Sequence, residues 1–248
     1  MAHPALERTA HRPWPLPSGR WAWRQSWRDL LFAHWPVAVA DVRPLVPPAL
    51  AIDTYDGATW LGIVPFRMAG VMLRPLPDLP WVSAFPELNV RVYVTRDGRP
   101  GVWFLSLDAA NPLAVAAARL LFHLPYYNAD MEIRPEGEAF AYRSLRRGAT
   151  DARQTARNRP TTPDNEAPPG TQEHRQTAPN SHYAPAANRA LFRTEIHHWP
   201  WPLQRAAAEL PTVTVSAAGG LPVAGPPAYL HFSRRQDVVV WSPQALAA

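Results

Sequence analysis

The sequence contains no cysteine and no lysine. The first absence removes disulfides, thiolate metal sites and a cysteine nucleophile. The second removes side-chain imine chemistry. All 25 basic residues are arginine, a guanidinium does not act as an amine nucleophile, and the N-terminus is left as the one primary amine. No apolar run reaches the roughly 18 residues of a membrane span, and MAHPALERTAHRPWPLP lacks the apolar core of a signal peptide. A cytoplasmic protein without a membrane partner is therefore expected. There is no Gly-rich phosphate loop, no GxSxG elbow and no HExxH, so no cofactor, serine hydrolysis or metal centre is implied. His197 and His198 are adjacent, diverge in an extended chain and have no third ligand at metal spacing, so no metal is expected there. Arginine pairs occur at Arg146–Arg147 and Arg234–Arg235 without a long basic run, and the net charge of +5 is read as solvated surface, with no nucleic-acid partner.

What the chain does contain is apolar and β-prone. At 248 residues and 47% hydrophobic it is long enough to bury a substantial core, and one domain over 1–248 is the expectation. The proline-rich residues 1–20 read as a loose arm. Trp27, Leu30, Leu31 and His34 then fall at helical spacing, which predicts a short helix. Alternating runs follow. Leu88–Val94 and Gly101–Asp108 flank a turn with Asp97 and Gly98, as in a hairpin, and an earlier DG at Asp56 and Gly57 gives a second. LAVAAARLL reads as a helix, and AYRSLRR, FRTEIHH, PTVTVSA, AYLHFS and VVVW as further strands. The fold class is mainly β (α+β), a barrel or sandwich with one or two short packed helices. Between Leu145 and Leu191 no Val, Ile, Leu, Met, Phe or Trp occurs. Residues 148–188 are accordingly expected to form a disordered or surface-loop insertion outside the core.

Within Leu88–Val94 the polar residues share one face. Glu87, Asn89 and Arg91 alternate with Leu88, Val90 and Val92. They line a polar pocket if that face is interior, and are solvated surface if it is exterior.

The phrases LFAHWPV, VRPLVPPAL, DGATWLGIVPF, FPELNVRVYV, GVWFLSLDA, LPYYNADM and IHHWPWPL resemble the YqjF-like family of uncharacterised conserved proteins, in the acetoacetate-decarboxylase-like superfamily. The resemblance spans roughly residues 25–145 and 191–241 and departs in the polar segment. It implies an acetoacetate-decarboxylase-like antiparallel barrel. The decarboxylases carry a glutamate entering a strand, then a helix ending in Gly-Arg, and six residues beyond it a proline and a lysine pair. Here the corresponding positions are Glu87, Ala118-Arg119, and Pro125 followed by Tyr126 and Tyr127. The spacing is kept, but a phenol forms no imine. The resemblance thus implies a cavity without Schiff-base decarboxylation, lined by Glu87, Arg119 and one of the two tyrosines. Its expected partner is a small carboxylate or carbonyl ligand, and a homo-oligomer is left open. Catalysis by a lysine-independent lyase or isomerase acting on a small oxo acid is the alternative to binding alone.

Overall fold

A computed structural model describes residues 3–76, 83–149, 151–168, 170–177, 179–186 and 190–246. Its strands are β1 (Trp23–Val37), β2 (Ala51–Ile52), β3 (Thr59–Leu73), β4 (Phe85–Arg96), β5 (Arg99–Ala109), β6 (Tyr126–Glu136), β7 (Ala139–Arg146), β8 (Arg153–Pro160), β9 (Asn165–Glu166), β10 (Ser181–Pro185), β11 (Leu191–His197), β12 (Pro202–Val213), β13 (Tyr229–Val240) and β14 (Gln244–Leu246). The α-helices are α1 (Val39–Val42), α2 (Pro112–Phe122), α3 (Gln172–Thr177) and α4 (Val215–Ala218). No helix among the described residues is long and apolar enough to cross a membrane.

The sheet runs β14-β11-β10-β5-β6-β7-β8-β12-β13-β1-β3-β4-β2, and the extra pairings β5–β4 and β11–β13 close it on itself. Two rings result, which share β13, β1, β3, β4 and β5. One is completed by β10 and β11, the other by β6, β7, β8 and β12. The shared strands are therefore covered on both faces. Leu30 and Phe32 of β1 pack with Val64, Phe66 and Trp201, whereas the intervening Leu31 packs with Phe140, Tyr142 and Phe232. The hairpin between β4 and β5 forms as expected from the sequence, with Asp97 at φ 53° and Gly98 at φ 73°, the positive angles that a two-residue turn between twisted strands requires.

The helix expected around Trp27–His34 is instead part of β1. The reason is a bulge. Asp29 adopts φ 53°, and the pairing of β1 with β3 shifts register between Arg28 and Ala33. One extra residue moves the inward-facing set from Trp23, Gln25 and Trp27 to Leu30 and Phe32, all of which line the same cavity. The resulting three-residue step imitates a helical repeat.

Two further expectations are overturned. The arm of residues 1–20 is not loose where it is described. Arg12 is buried, and its guanidinium donates to Glu195 Oε2 at 2.9 Å, Asn180 Oδ1 at 2.7 Å and the Ile196 carbonyl at 2.7 Å. Nor is 148–188 an insertion outside the core. β8 lies between β7 and β12, burying Gln154, Ala156 and Asn158 while Arg153, Arg157 and Arg159 face solvent. β10 pairs with β5 and β11. Tyr183 is buried in the main apolar cluster and donates its hydroxyl proton to the Arg99 carbonyl at 2.9 Å. Gly101 allows that approach, since a Cβ there would lie 2.6 Å from the Tyr183 ring. Pairing on both edges, with short polar side chains turned inward, replaces the missing aliphatic residues. The amides of β10 are expected to exchange with solvent about as slowly as those of β4, measured by native-state hydrogen exchange. Exchange as fast as that of an exposed loop would contradict this placement.

Candidate functional site

The ring completed by β10 and β11 encloses a cavity of about 390 Å³, within the size range of small-molecule sites. β4 supplies its polar wall. Leu88, Val90, Val92 and Val94 pack into the main core, so Glu87, Asn89 and Arg91 turn to the opposite face and line the cavity. The face shared by these three residues, left open by the sequence, is thus an interior one.

α2 forms another wall. Asn111 caps it by accepting hydrogen bonds from Leu113 N at 3.0 Å and Ala114 N at 3.1 Å, Pro112 opens it, and His123 ends it in the left-handed conformation at φ 55°. Its small residues Ala114, Ala117 and Ala118 face the cavity. The chain then enters β6, which pairs in parallel with β5 and sets Leu107 opposite Tyr126. Neighbours in a strand point apart. Tyr126 lines the cavity and donates its hydroxyl proton to Glu87 Oε2 at 3.0 Å. Tyr127 is 38% exposed and its ring carries the Arg146 guanidinium at 4.0 Å.

Arg119 corrects the expectation. It is exposed on the far side of α2, where its Nε donates to the Tyr126 carbonyl at 2.7 Å, and it is not part of the cavity lining. Its side chain holds the start of β6 from outside. The cation in the cavity is Arg91, which donates from Nε to Tyr93 Oη at 3.2 Å and from Nη2 to the Gln176 carbonyl at 3.1 Å. It makes no ion pair among the described residues. Tyr93 Oη in turn lies 2.7 Å from His34 Nε2. Because a guanidinium can only donate, the consistent assignment has the Tyr93 proton on the bond to His34, whose own proton then sits on Nδ1. This chain fixes the plane of Arg91.

The titratable groups around Arg91 are neutral. Burial lifts the Glu87 carboxyl to about 8, a rise that the Tyr126 hydrogen bond only partly offsets. Burial and the neighbouring Glu87 push Tyr126 well above the ordinary phenol range. Burial lowers His182 to about 4 and His198 to about 3. Near neutral pH Glu87 is therefore a carboxylic acid, able to donate one proton while accepting another from Tyr126.

Several buried polar atoms lining the cavity have no hydrogen-bond partner among the described residues. They are Asn89 Oδ1, both amide atoms of Gln176, His182 Nε2 and the indole nitrogens of Trp27 and Trp201. Such orphans are costly unless something completes them. Gln176, Thr177 and His182 come from the polar segment, and sequence reasoning missed them because it set that segment aside. The lone aromatic Tyr183 in SHYAP is the signal that was available. His197, by contrast, faces Arg12 and stacks on His11 at 5.4 Å. The histidine pair diverges, with His198 alone reaching the cavity.

Comparison with known proteins agrees with this architecture. In the solved structures, the acetoacetate decarboxylase of Legionella pneumophila superposes with a TM-score of 0.63 at 13% identity, covering 99% of this chain and 96% of that one. The enduracididine biosynthesis enzyme MppR, in a complex with pyruvate, gives 0.64 at 12% identity over 96% and 93%. At these identities the likeness establishes the fold, an acetoacetate-decarboxylase-like barrel. In sequence, the uncharacterised protein YqjF of Bacillus subtilis (strain 168) is 42% identical over 235 residues, 95% of this chain and 97% of that protein. Residues 24–243 match the model of DUF2071, described as "Uncharacterized conserved protein (COG2071)", and the chain belongs to that family.

Proposed function

We propose that the protein binds a small carboxylate or carbonyl compound in the cavity, with Arg91 holding the anionic group and Glu87, Asn89 and Tyr126 meeting a second oxygen. The observation that carries this reading is the meeting of a guanidinium without an ion pair, a neutral carboxyl and orphaned buried amide atoms in one enclosed space. A bound carboxylate is an acceptor for the guanidinium and for the orphaned donors, the Gln176 amide nitrogen and the indole nitrogens of Trp27 and Trp201. The presence of pyruvate in one structural neighbour supports the same direction.

Ligand binding to the folded state raises the melting temperature. Across a panel of carboxylates and ketones, a ligand at about 100 times its Kd stabilises by about 2.7 kcal/mol, or roughly 5–10 °C for a chain of this size. The rise is expected in the wild type and is expected to be absent for the same ligand in Arg91→Met. No rise across the whole panel would count against the reading.

Imine chemistry is outside it, because the chain has no lysine and Tyr126 occupies the interior position. Borohydride with acetoacetate or pyruvate is expected to leave the protein mass unchanged, whereas an imine enzyme is trapped as a reduced adduct. A stoichiometric mass gain on any peptide would contradict this.

A second reading has one observation in its favour. A carboxyl held at about 8 and bonded to a phenol is suited to proton transfer near neutral pH. In a lysine-independent lyase or isomerase, Glu87 moves the proton and Tyr126, its hydroxyl turned from Glu87 to the substrate, polarises the carbonyl. Turnover of an oxo acid with a pH-rate midpoint near 8 would favour it over binding alone.

A further inference from the structure

We infer that the occupant is a monoanion with an aromatic or branched apolar body, and not a compound of pyruvate's size. The inference rests on the reading of the cavity as a ligand site and specifies its ligand class.

Charge comes first. Among the described residues lining the cavity, Arg91 is the one side chain charged near neutral pH, since Glu87, His182 and His198 are neutral there. One negative charge balances it. A second would lie beside the buried Glu87 carboxyl with no cation to meet it. The polar part of the lining is also the smaller part, made by β4, Tyr126, Gln25, His198 and the segment around Gln176 and His182.

The remaining surface is apolar, aliphatic side chains interleaved with aromatic rings. Trp27 packs edge-on against Phe66 with centroids 6.1 Å apart, and Phe32 packs edge-on against Trp201 at 5.0 Å. Phe104 and Phe122 extend the wall, and all six rings line the cavity. A pyruvate-sized acid held at Arg91 leaves most of this wall facing water. An aryl or branched alkyl group covers it, releasing that water and finding the ring-edge partners aromatic groups prefer.

The entrance has the same character. Leu76, Leu113 and Leu121 line the cavity yet are 51%, 70% and 46% exposed. Leucines cluster at a solvent-facing mouth at a cost in solubility, and an exposed apolar patch of this kind marks a route for apolar compounds. The α2 alanines Ala114, Ala117 and Ala118 line the cavity with short side chains.

The test is calorimetric titration of the full chain at pH 7 with phenylpyruvate, 4-methyl-2-oxopentanoate, pyruvate, the dianion oxaloacetate and the uncharged phenylacetone. Burying a benzyl-sized group is expected to make phenylpyruvate bind about 10- to 100-fold tighter than pyruvate. 4-Methyl-2-oxopentanoate is expected between them, and oxaloacetate no tighter than pyruvate. Phenylacetone is expected to bind at least about tenfold more weakly than phenylpyruvate, and Arg91→Met to bring the two to the same affinity. Ala118→Trp, which fills the space beside α2, is expected to lower phenylpyruvate affinity more than pyruvate affinity. Pyruvate binding as tightly as phenylpyruvate, with both lost in Arg91→Met, would overturn the inference while leaving the ligand site intact. Phenylacetone binding as tightly as phenylpyruvate would overturn the requirement for a negative charge. Absence of binding by all five would overturn the ligand-site reading itself.

Discussion

Glu87→Gln is expected to stabilise the protein strongly at pH 9 and to leave it nearly unchanged at pH 4. The side chain is 2% exposed, and its carboxyl titrates at about 8 in the fold against about 4.5 when unfolded. Below 4.5 both states carry the proton and the group costs nothing. As pH rises above 4.5 the unfolded chain releases its proton while the folded chain keeps it, so the balance moves toward unfolding. The loss grows up to about 8, where the folded carboxyl ionises too, and is constant beyond. Over those roughly 3.5 pH units the loss is on the order of 5 kcal/mol, at about 1.4 kcal/mol per unit. Glutamine copies the neutral acid: its oxygen accepts from Tyr126 and its amide donates where the acid proton did. Denaturant unfolding of both proteins from pH 4 to 9 is expected to give curves that meet at the acid end and separate steadily above pH 5. Parallel curves would show that Glu87 is ionised in the fold.

The second large effect is expected at the junction of the N-terminal arm with β11. Glu195 is buried to 3% side-chain exposure among Arg12 at 2.9 Å, Arg99 at 3.1 Å and Arg193 at 3.2 Å, and it also accepts the indole proton of Trp14 at 3.0 Å. Glu195→Ala leaves the buried Arg12 guanidinium with no anion. Breaking a buried pair from one side costs about 3–5 kcal/mol, or roughly 10 °C in melting temperature for a chain of this length. The arm is expected to detach first, so proteolysis within residues 3–21 is expected to accelerate before global unfolding. Glu136→Ala removes the exposed pair with Arg157 at 2.8 Å and is expected to melt as the wild type does. Equal, small effects from the two variants would show that the arm is not anchored through Glu195.

The strands that were legible in sequence are those whose local chemistry and tertiary role agree. β4 and β5 announce themselves through alternation and the Asp97-Gly98 turn, because the turn geometry is a property of those two residues. The alternation also separated Glu87, Asn89 and Arg91 from the core-facing valines, although it left open whether their face was wet or enclosed. β1 was illegible because the Asp29 bulge breaks its period. β8 and β10 were illegible because they are held by neighbours on both edges and by buried Gln154, Asn158 and Tyr183, none of which raises the apolar content of a window. The site divides in the same way. Tyr126 could be narrowed to one of two residues by strand geometry, whereas Arg119 was misassigned because its spacing says nothing about which side of α2 it occupies. Its guanidinium bonds the Tyr126 backbone from outside, and Arg91 supplies the interior charge instead.

The proposed ligand cavity holds a neutral carboxyl, Glu87, and a guanidinium, Arg91, without an ion pair among the described residues. Carboxyl carbon NMR of glutamate-labelled protein tests it most directly, with the Glu87 signal assigned by its loss in Glu87→Gln. Without ligand the titration midpoint is expected at about 8. With a saturating carboxylate bound at Arg91 the midpoint is expected to rise further, because a second negative charge nearby disfavours ionisation. A midpoint near 4.5, or one at about 8 that no carboxylate moves, would contradict the account.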